Sequence, residues 1–142
     1  MTFESHGEVW LFTIAGEELA AAREAHLVAR IGPLPLVAAN KFAVEYVEGD
    51  FKPDMVTRVH RHPGVEAFYT VAGETCLETP KGTLLQLAGG AGIMVPGGTP
   101  MKLTAIGPRD RFGFGAVLQD ASKPFSTRAN DWKPRGLCNR AS

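Results

Sequence analysis

The chain has 142 residues with 15 basic and 15 acidic side chains, so its formal net charge is zero at neutral pH. That length suits a single domain with a buried core, and the balanced charge argues against nucleic acid or an anionic membrane as a partner. No run approaches the ~20 apolar residues of a membrane-spanning helix, and the N-terminus lacks the basic start of a signal peptide. We therefore expect one domain over residues 1–142, located in the cytoplasm, or in the periplasm or outside the cell if a signal peptide is missing from this sequence.

Residues 1–35 are predicted to form an N-terminal arm. Within it the run GEELAAAREAH, residues 16–26, is rich in helix formers and predicts a helix of about three turns. This helix would stand before the strands or be inserted between two N-terminal strands.

Residues 36–120 alternate between short runs of β-branched and aromatic residues and clusters of turn residues. Turn signals such as Gly49-Asp50, Pro63-Gly64, Gly73 and Gly107-Pro108 draw on 16 glycines and 10 prolines. The predicted strands are FAVEYV, VEAFYTV, TLLQLA, GIMVP, MKLTAI and FGFGAVLQ. Many short strands separated by turns predict an all-β fold, a sandwich or barrel, with at least six strands.

Residues 121–142 contain few apolar residues and predict an irregular C-terminal arm packed on the barrel, with Phe125 and Trp132 as its attachment points. The two cysteines, Cys76 and Cys138, match no metal-binding or redox spacing. We expect both to be free thiols, with a Cys76–Cys138 disulfide as the alternative.

The stretch VTRVHRHPGVEAFYTVAGE, residues 56–74, contains two of the four histidines. In a strand, alternate side chains share a face, so His60 and His62 point to the same side. Pro63-Gly64 then turns the chain, and Glu66 can reach back toward both imidazoles. Two imidazoles and a carboxylate are a donor set that binds Fe(II), Mn, Ni, Zn or Cu and leaves positions open. Ordinary strand histidines are the alternative.

The run His60-x-His62-x3-Glu66-x6-Gly73 resembles the first motif of the cupin superfamily, and Gly90-x5-Pro96-x-Gly98 resembles the start of its second motif. The short separation between them is similar to that of small single-domain cupins. The resemblance spans about residues 36–120. It implies a jelly-roll barrel of six or more strands, often dimeric, with one divalent metal held by His60, His62 and Glu66.

Among the departures from the family pattern, Ala105 stands where an asparagine often follows in the second motif, and two others concern a turn and the metal site. Asp54 stands where the first motif usually has glycine, and Gly49 could serve a nearby turn instead. Met101 stands where the second motif usually has a histidine ligand. Its thioether is either a ligand, which suits copper best, or an apolar wall of the pocket, which we expect. A degenerate site without metal is a third alternative, and Pro100 and Met101 could also form a lid.

The predicted function is metal-assisted chemistry on a small organic molecule, such as dioxygenation, isomerisation or lyase chemistry, in which Glu66 could leave the metal and act as a base. The alternatives are a non-catalytic protein, either a small-molecule sensor or a structural metal barrel, and an interaction module with an apolar pocket. The predicted pocket residues are Met101, Arg58, Phe68 and Phe114, with Tyr69, Gln86 and Phe112 as further strand positions, some of which would line the pocket. His6 and His26 are expected to be isolated on the surface. Residues 8–31 and an exposed strand edge are expected to form a homodimer.

Overall fold

The computed structural model describes residues 1–17, 19–20 and 22–140, without the side chain of residue 140. The described chain forms eleven strands and one short 3₁₀ helix at Leu137–Arg140. The strands are β1 Thr2–Ser5, β2 Glu8–Leu11, β3 Phe42–Phe51, β4 His60–Arg61, β5 Val65–Ala72, β6 Glu74–Thr79, β7 Gly82–Leu87, β8 Ile93–Val95, β9 Lys102–Ile106, β10 Arg111–Asp120 and β11 Thr127–Arg128. No described helix is long and apolar enough to cross a membrane.

Two antiparallel sheets form the barrel. One has the strand order β3-β10-β5-β8, and the other has the order β7-β6-β9. Two smaller antiparallel pairs, β1-β2 and β4-β11, lie outside these sheets. Eight strands fall between residues 36 and 120, so the predicted all-β class with at least six strands is confirmed.

Side chains from both sheets meet in the barrel interior. Phe68, Ile93 and Val95 of the first sheet pack in one buried cluster with Leu77 of the second sheet and Met101. The hydrophobic effect stabilises this arrangement because each sheet buries one apolar face against the other. The interior positions beside this cluster are left for the cavity described below.

The N-terminal hairpin β1-β2 covers the outer face of the first sheet. Phe3, Trp10 and Phe12 pack around Phe114 of β10, with ring centroids between 4.7 and 5.3 Å from its ring. Phe112 joins the cluster at 4.9 Å from Phe114. Aromatic contacts at these distances are favourable, so the hairpin is attached to the barrel by ring packing.

The predicted helix over residues 16–26 is wrong for the described part of that run, which contains a bend and a turn and no helix. Glu18 and Ala21 lie outside the described residues. All described residues of the run are exposed, and a helix of three turns is marginal in water without an apolar face to bury. The turn predicted at Gly49-Asp50 is also wrong, because both residues lie within β3.

The C-terminal arm is covalently attached to the barrel, which corrects the expectation of two free thiols. Cys76 of β6 and Cys138 form a disulfide with a Cα–Cα distance of 5.7 Å. Beside it, the buried carboxylate of Glu78 accepts hydrogen bonds from the backbone N–H groups of Arg135 and Leu137. Sequence spacing did not reveal the pairing because the two cysteines are 62 residues apart and meet only through the fold.

Candidate metal centre

A cavity of about 330 Å³ lies between the two sheets and contains the predicted site residues. Its volume is at the small end of the range for sites that bind small molecules. The lining consists of Val47, Glu48, Gly49, Phe51, Thr57, Arg58, His60, His62, Glu66, Phe68, Leu77, Met101, Leu103, Arg111, Gly113, Phe114, Gly115, Phe125 and Ser126. His60, His62 and Glu66 thus face one common space.

Each imidazole of the pair is oriented by a backbone carbonyl. His60 Nδ1 lies 2.8 Å from the carbonyl oxygen of Arg58, and His62 Nδ1 lies 2.7 Å from that of Phe125. A carbonyl only accepts, so each Nδ1 carries the proton and each Nε2 keeps its lone pair. Metal-binding histidines are typically held in this way, with the ring nitrogen that does not bind metal donating to a carbonyl or carboxylate.

Glu66 of β5 lies next to these rings. One of its carboxylate oxygens is 3.5 Å from His62 Nε2, and the two histidine ring centroids are 5.0 Å apart. The separation between His62 and Glu66 is short enough for both to bind one ion. Gly115 on the neighbouring strand leaves room for the carboxylate, since a Cβ there would lie 3.3 Å from Glu66 Oε1.

Burial controls the protonation of all three side chains. Desolvation raises the pKa of Glu66 to about 7, although the charges of His60 and Arg111 act in the opposite direction. Desolvation also lowers the pKa of His60 and of His62, even though backbone hydrogen bonds oppose it. The site therefore favours neutral imidazoles, which are the form that binds metal.

The three donors surround the cavity and do not all approach one another closely. Among the described residues, a group whose ligand atoms all lie within 4.8 Å of each other occurs instead at His6, Glu48 and Asp50 on the surface. The donor types and the orientation of both rings fit a divalent transition metal. The predicted convergence of all three donors on one point stays a prediction.

Comparison with known proteins agrees with this architecture. No protein-family model matches the chain, and no curated relative does. A double-stranded β-helix protein from Klebsiella pneumoniae is 16% identical with a TM-score of 0.51, and the match covers 79% of this chain and 98% of that one. A cupin-like protein from Thermotoga maritima is 14% identical with a TM-score of 0.54, covering 60% and 63%. The chain has the cupin fold.

An oxalate decarboxylase also shares this fold at 17% identity and a TM-score of 0.52, covering 63% of this chain and 24% of that protein. At such identities the likeness concerns the fold alone. The cupin barrel expected from the two sequence motifs is thereby confirmed.

Met101 takes the place of the second-motif histidine in this cupin barrel. It is 2% exposed, lines the cavity and is paired with His60 through two backbone hydrogen bonds, of 3.1 and 2.8 Å. Leu103, two residues further along, also lines the cavity. The interior position expected for Met101 is therefore what the structure shows, and its role toward a metal stays a prediction.

Asp54, the other departure from the cupin pattern, adopts a backbone conformation that glycine usually provides. Its φ is +66°, in the left-handed region, and its N–H donates to the carbonyl of Ala105 at 2.9 Å. Aspartate tolerates this region better than most residues. Asp54 therefore supplies the turn itself, and Gly49 has no such part in it.

The other three predicted pocket residues differ in their positions. Phe68 is buried in the cavity wall, and Arg58 is exposed, with a hydrogen bond to Ser126 at 3.2 Å. Phe114 borders the cavity, but its ring contributes to the aromatic cluster under the hairpin.

The two remaining histidines lie on the surface. His26 is exposed as expected, whereas His6 is exposed but not isolated, because its ring stacks on that of Phe112 with a centroid distance of 3.8 Å.

Sequence reasoning missed two residues of the site. Phe125 was expected only to attach the arm, but its carbonyl also orients His62. Arg111 lines the cavity and is almost fully buried. The alternation in RFGFG contained a signal for it, since Arg111, Gly113 and Gly115 share one face of β10, the face that lines the cavity.

Proposed function

We propose that this cupin barrel binds one divalent transition metal and binds or acts on a small organic molecule in the cavity. The observation that carries the proposal is the pair of backbone carbonyls that hold Nδ1 of His60 and His62. Each carbonyl leaves an Nε2 lone pair in the cavity, which is the arrangement expected of metal ligands.

His60, His62 and Glu66 would hold the metal. Imidazole and carboxylate suit Fe, Mn, Ni, Zn and Cu, so the donor set does not select among these. The metal, when bound, supplies Lewis-acid polarisation of the ligand. Burial raises the pKa of Glu66 to about 7 in the metal-free protein, so a Glu66 that left the metal could exchange a proton with a substrate at neutral pH.

Catalysis of a dioxygenase, isomerase or lyase type is the first candidate activity, and sharing a fold with an oxalate decarboxylase is compatible with it. The second candidate is a sensor that binds a small molecule without turnover. Met101 favours the second, because a buried thioether stands where the cupin pattern has a fourth ligand. Turnover that is lost on chelation and restored by one metal would decide for the enzyme.

A homodimer is part of the proposal. Exposed apolar side chains in the N-terminal segment include Val9, Leu11, Ile14, Leu27 and Val28. Strand β3 is at one edge of its sheet and has ten residues, and a long open edge is a surface that strand pairing or a second subunit can cover. Both features favour the predicted contact through residues 8–31 and a sheet edge.

A cytoplasmic location stays a prediction, and the disulfide argues against it. Disulfides persist mainly in oxidising compartments, whereas cytoplasmic thiols are usually kept reduced. The Cys76–Cys138 bond therefore favours the periplasmic or secreted alternative.

Metal content tests the proposal directly. Elemental analysis of untreated protein should find one transition metal per chain, and calorimetric titration of the metal-free protein should reproduce that ratio. His62→Ala should lower the affinity about tenfold or more, because it removes a ligand. His26→Ala is the matched control, since His26 is exposed and far along the chain from the site. Equal metal binding by wild type and His62→Ala would reject the proposed site.

A further inference from the structure

Arg111 is a buried cation in the wall of the cavity. Its side chain is 4% exposed, it begins β10, and it lines the same space as Glu66. Burying a charge is costly unless the group is paired or hydrogen-bonded. The partners of this guanidinium therefore indicate what the cavity is built to receive.

The guanidinium is held firmly at one side. Nε donates to Thr75 Oγ1 at 2.9 Å, and Nη1 donates to the carbonyl of Gly49 at 3.2 Å. Thr75 is itself fixed by a buried hydrogen bond of 2.8 Å with Thr70, which bonds in turn to Gln86. The guanidinium carbon lies 5.6 Å from the centre of the Phe51 ring. These contacts fix the orientation of Arg111 before any ligand arrives.

The other side of the guanidinium has no partner among the residues that the structure describes. Within the described chain, Nη2 has no hydrogen-bond acceptor, and no carboxylate lies within 4.0 Å of Arg111. Glycines also keep side chains away from both terminal nitrogens of the guanidinium. A Cβ at Gly113 would lie 2.8 Å from Nη2, and one at Gly49 would lie 3.0 Å from Nη1.

Among the described residues, four charged side chains line the cavity. They are Arg58, Arg111, Glu48 and Glu66, and the Glu48 carboxylate also accepts a hydrogen bond from Ser5 Oγ and lies 3.8 Å from His6 Nε2. A bound divalent metal would add positive charge to this set, and an anionic ligand would compensate for it.

We propose that Arg111 binds the carboxylate of a small organic acid whose other end extends toward His60, His62 and Glu66. A planar guanidinium with free N–H groups matches a planar carboxylate in charge and geometry. The apolar walls formed by Phe68, Leu77 and Leu103 and the small volume of the cavity suit an organic acid rather than inorganic phosphate. The inference rests on the proposed function because it concerns the same cavity.

The test compares malonate with malonamide, its uncharged analogue, by calorimetric titration of the full chain, both metal-loaded and after metal removal. Wild type should bind malonate about tenfold or more tightly than malonamide in both forms. Arg111→Met should lose about tenfold or more in malonate affinity and leave malonamide binding unchanged. Arg109→Met, at an exposed arginine in the β9–β10 turn, is the control and should behave as wild type. Equal malonate binding by wild type and Arg111→Met would overturn the inference, as would wild type without preference for the acid.

A separate metal titration distinguishes the two proposals. If metal binds and malonate does not, the anion site is wrong and the metal site stands. If malonate binds through Arg111 to a chain that binds no metal, the metal site is wrong and the anion site stands. Should Arg111→Met fail to melt cooperatively, the ¹⁵N NMR signal of Arg111 Nε–H in wild type provides the test. A shift with malonate and none with malonamide supports the inference, and an unmoved signal rejects it.

Discussion

The buried carboxylate of Glu66 should make the stability of the metal-free protein depend on pH. Burial raises its pKa from 4.5 to about 7, so the folded chain holds a proton between these values that the unfolded chain has lost. The contribution of Glu66 to the free energy of unfolding is therefore fully present below pH 4.5 and is lost as the pH rises through about 7. At 1.36 kcal/mol per pKa unit, the loss is about 3 kcal/mol.

Glu66→Gln removes this dependence because the amide is neutral at every pH and nearly the same size. The stability of the variant relative to wild type should therefore rise by about 3 kcal/mol between pH 4.5 and 8. Urea unfolding of both proteins in the presence of a chelator, at a series of pH values, measures the difference. His60 and His62, whose lowered pKa values act with the opposite sign, are present in both proteins and largely cancel.

Glu4→Gln is the matched control, because Glu4 is exposed on β1 and the same substitution there should leave the pH profile of wild type unchanged. A difference between wild type and Glu66→Gln that stays flat across the range would refute the reasoning. It would mean that the carboxylate is ionised in the folded protein well below pH 7.

Three further results are expected. Met101→His should raise the affinity for Fe, Mn, Ni or Zn, whereas Met101→Leu should leave it nearly unchanged. If Met101→Leu abolishes metal binding, the thioether is a ligand and copper becomes the leading metal. Replacing both Cys76 and Cys138 by serine should cost about 4 kcal/mol in urea unfolding, since the bond closes a loop of 62 residues, and a much smaller loss would count against the bond. Light scattering at micromolar concentration should give a dimer that Leu27→Glu with Val28→Lys weakens, and a monomeric wild type would contradict the predicted contact.

The parts of the fold that follow local patterns were predictable. Alternation placed His60 and His62 on one face, and turn residues such as Gly73 and Gly107 do adopt positive φ between strands. Met101, which was expected to be an apolar wall of the pocket, lines the cavity together with Leu103. In each case the decisive information lies within a few neighbouring residues, because a strand has a period of two.

Features that depend on distant residues were not predictable. The helix expected at residues 16–26 fails because propensity cannot tell whether a packing partner exists. The Phe125 carbonyl that orients His62 is 63 residues away from it, and nothing about a phenylalanine indicates that its backbone will be used. Arg111 is similar, since its interior position is readable from alternation but its hydrogen bonds to Thr75 and Gly49 arise from other strands.

The path of the C-terminal arm also has a consequence for biosynthesis. The carbonyl that orients His62 belongs to residue 125, β11 pairs with β4 through residues 127 and 128, and the disulfide that holds the arm needs residue 138. A ribosome will have produced all the barrel strands while His62 still lacks its acceptor. The orientation of this imidazole is therefore completed only after the barrel strands have been made, and it depends on the docking of the C-terminal arm.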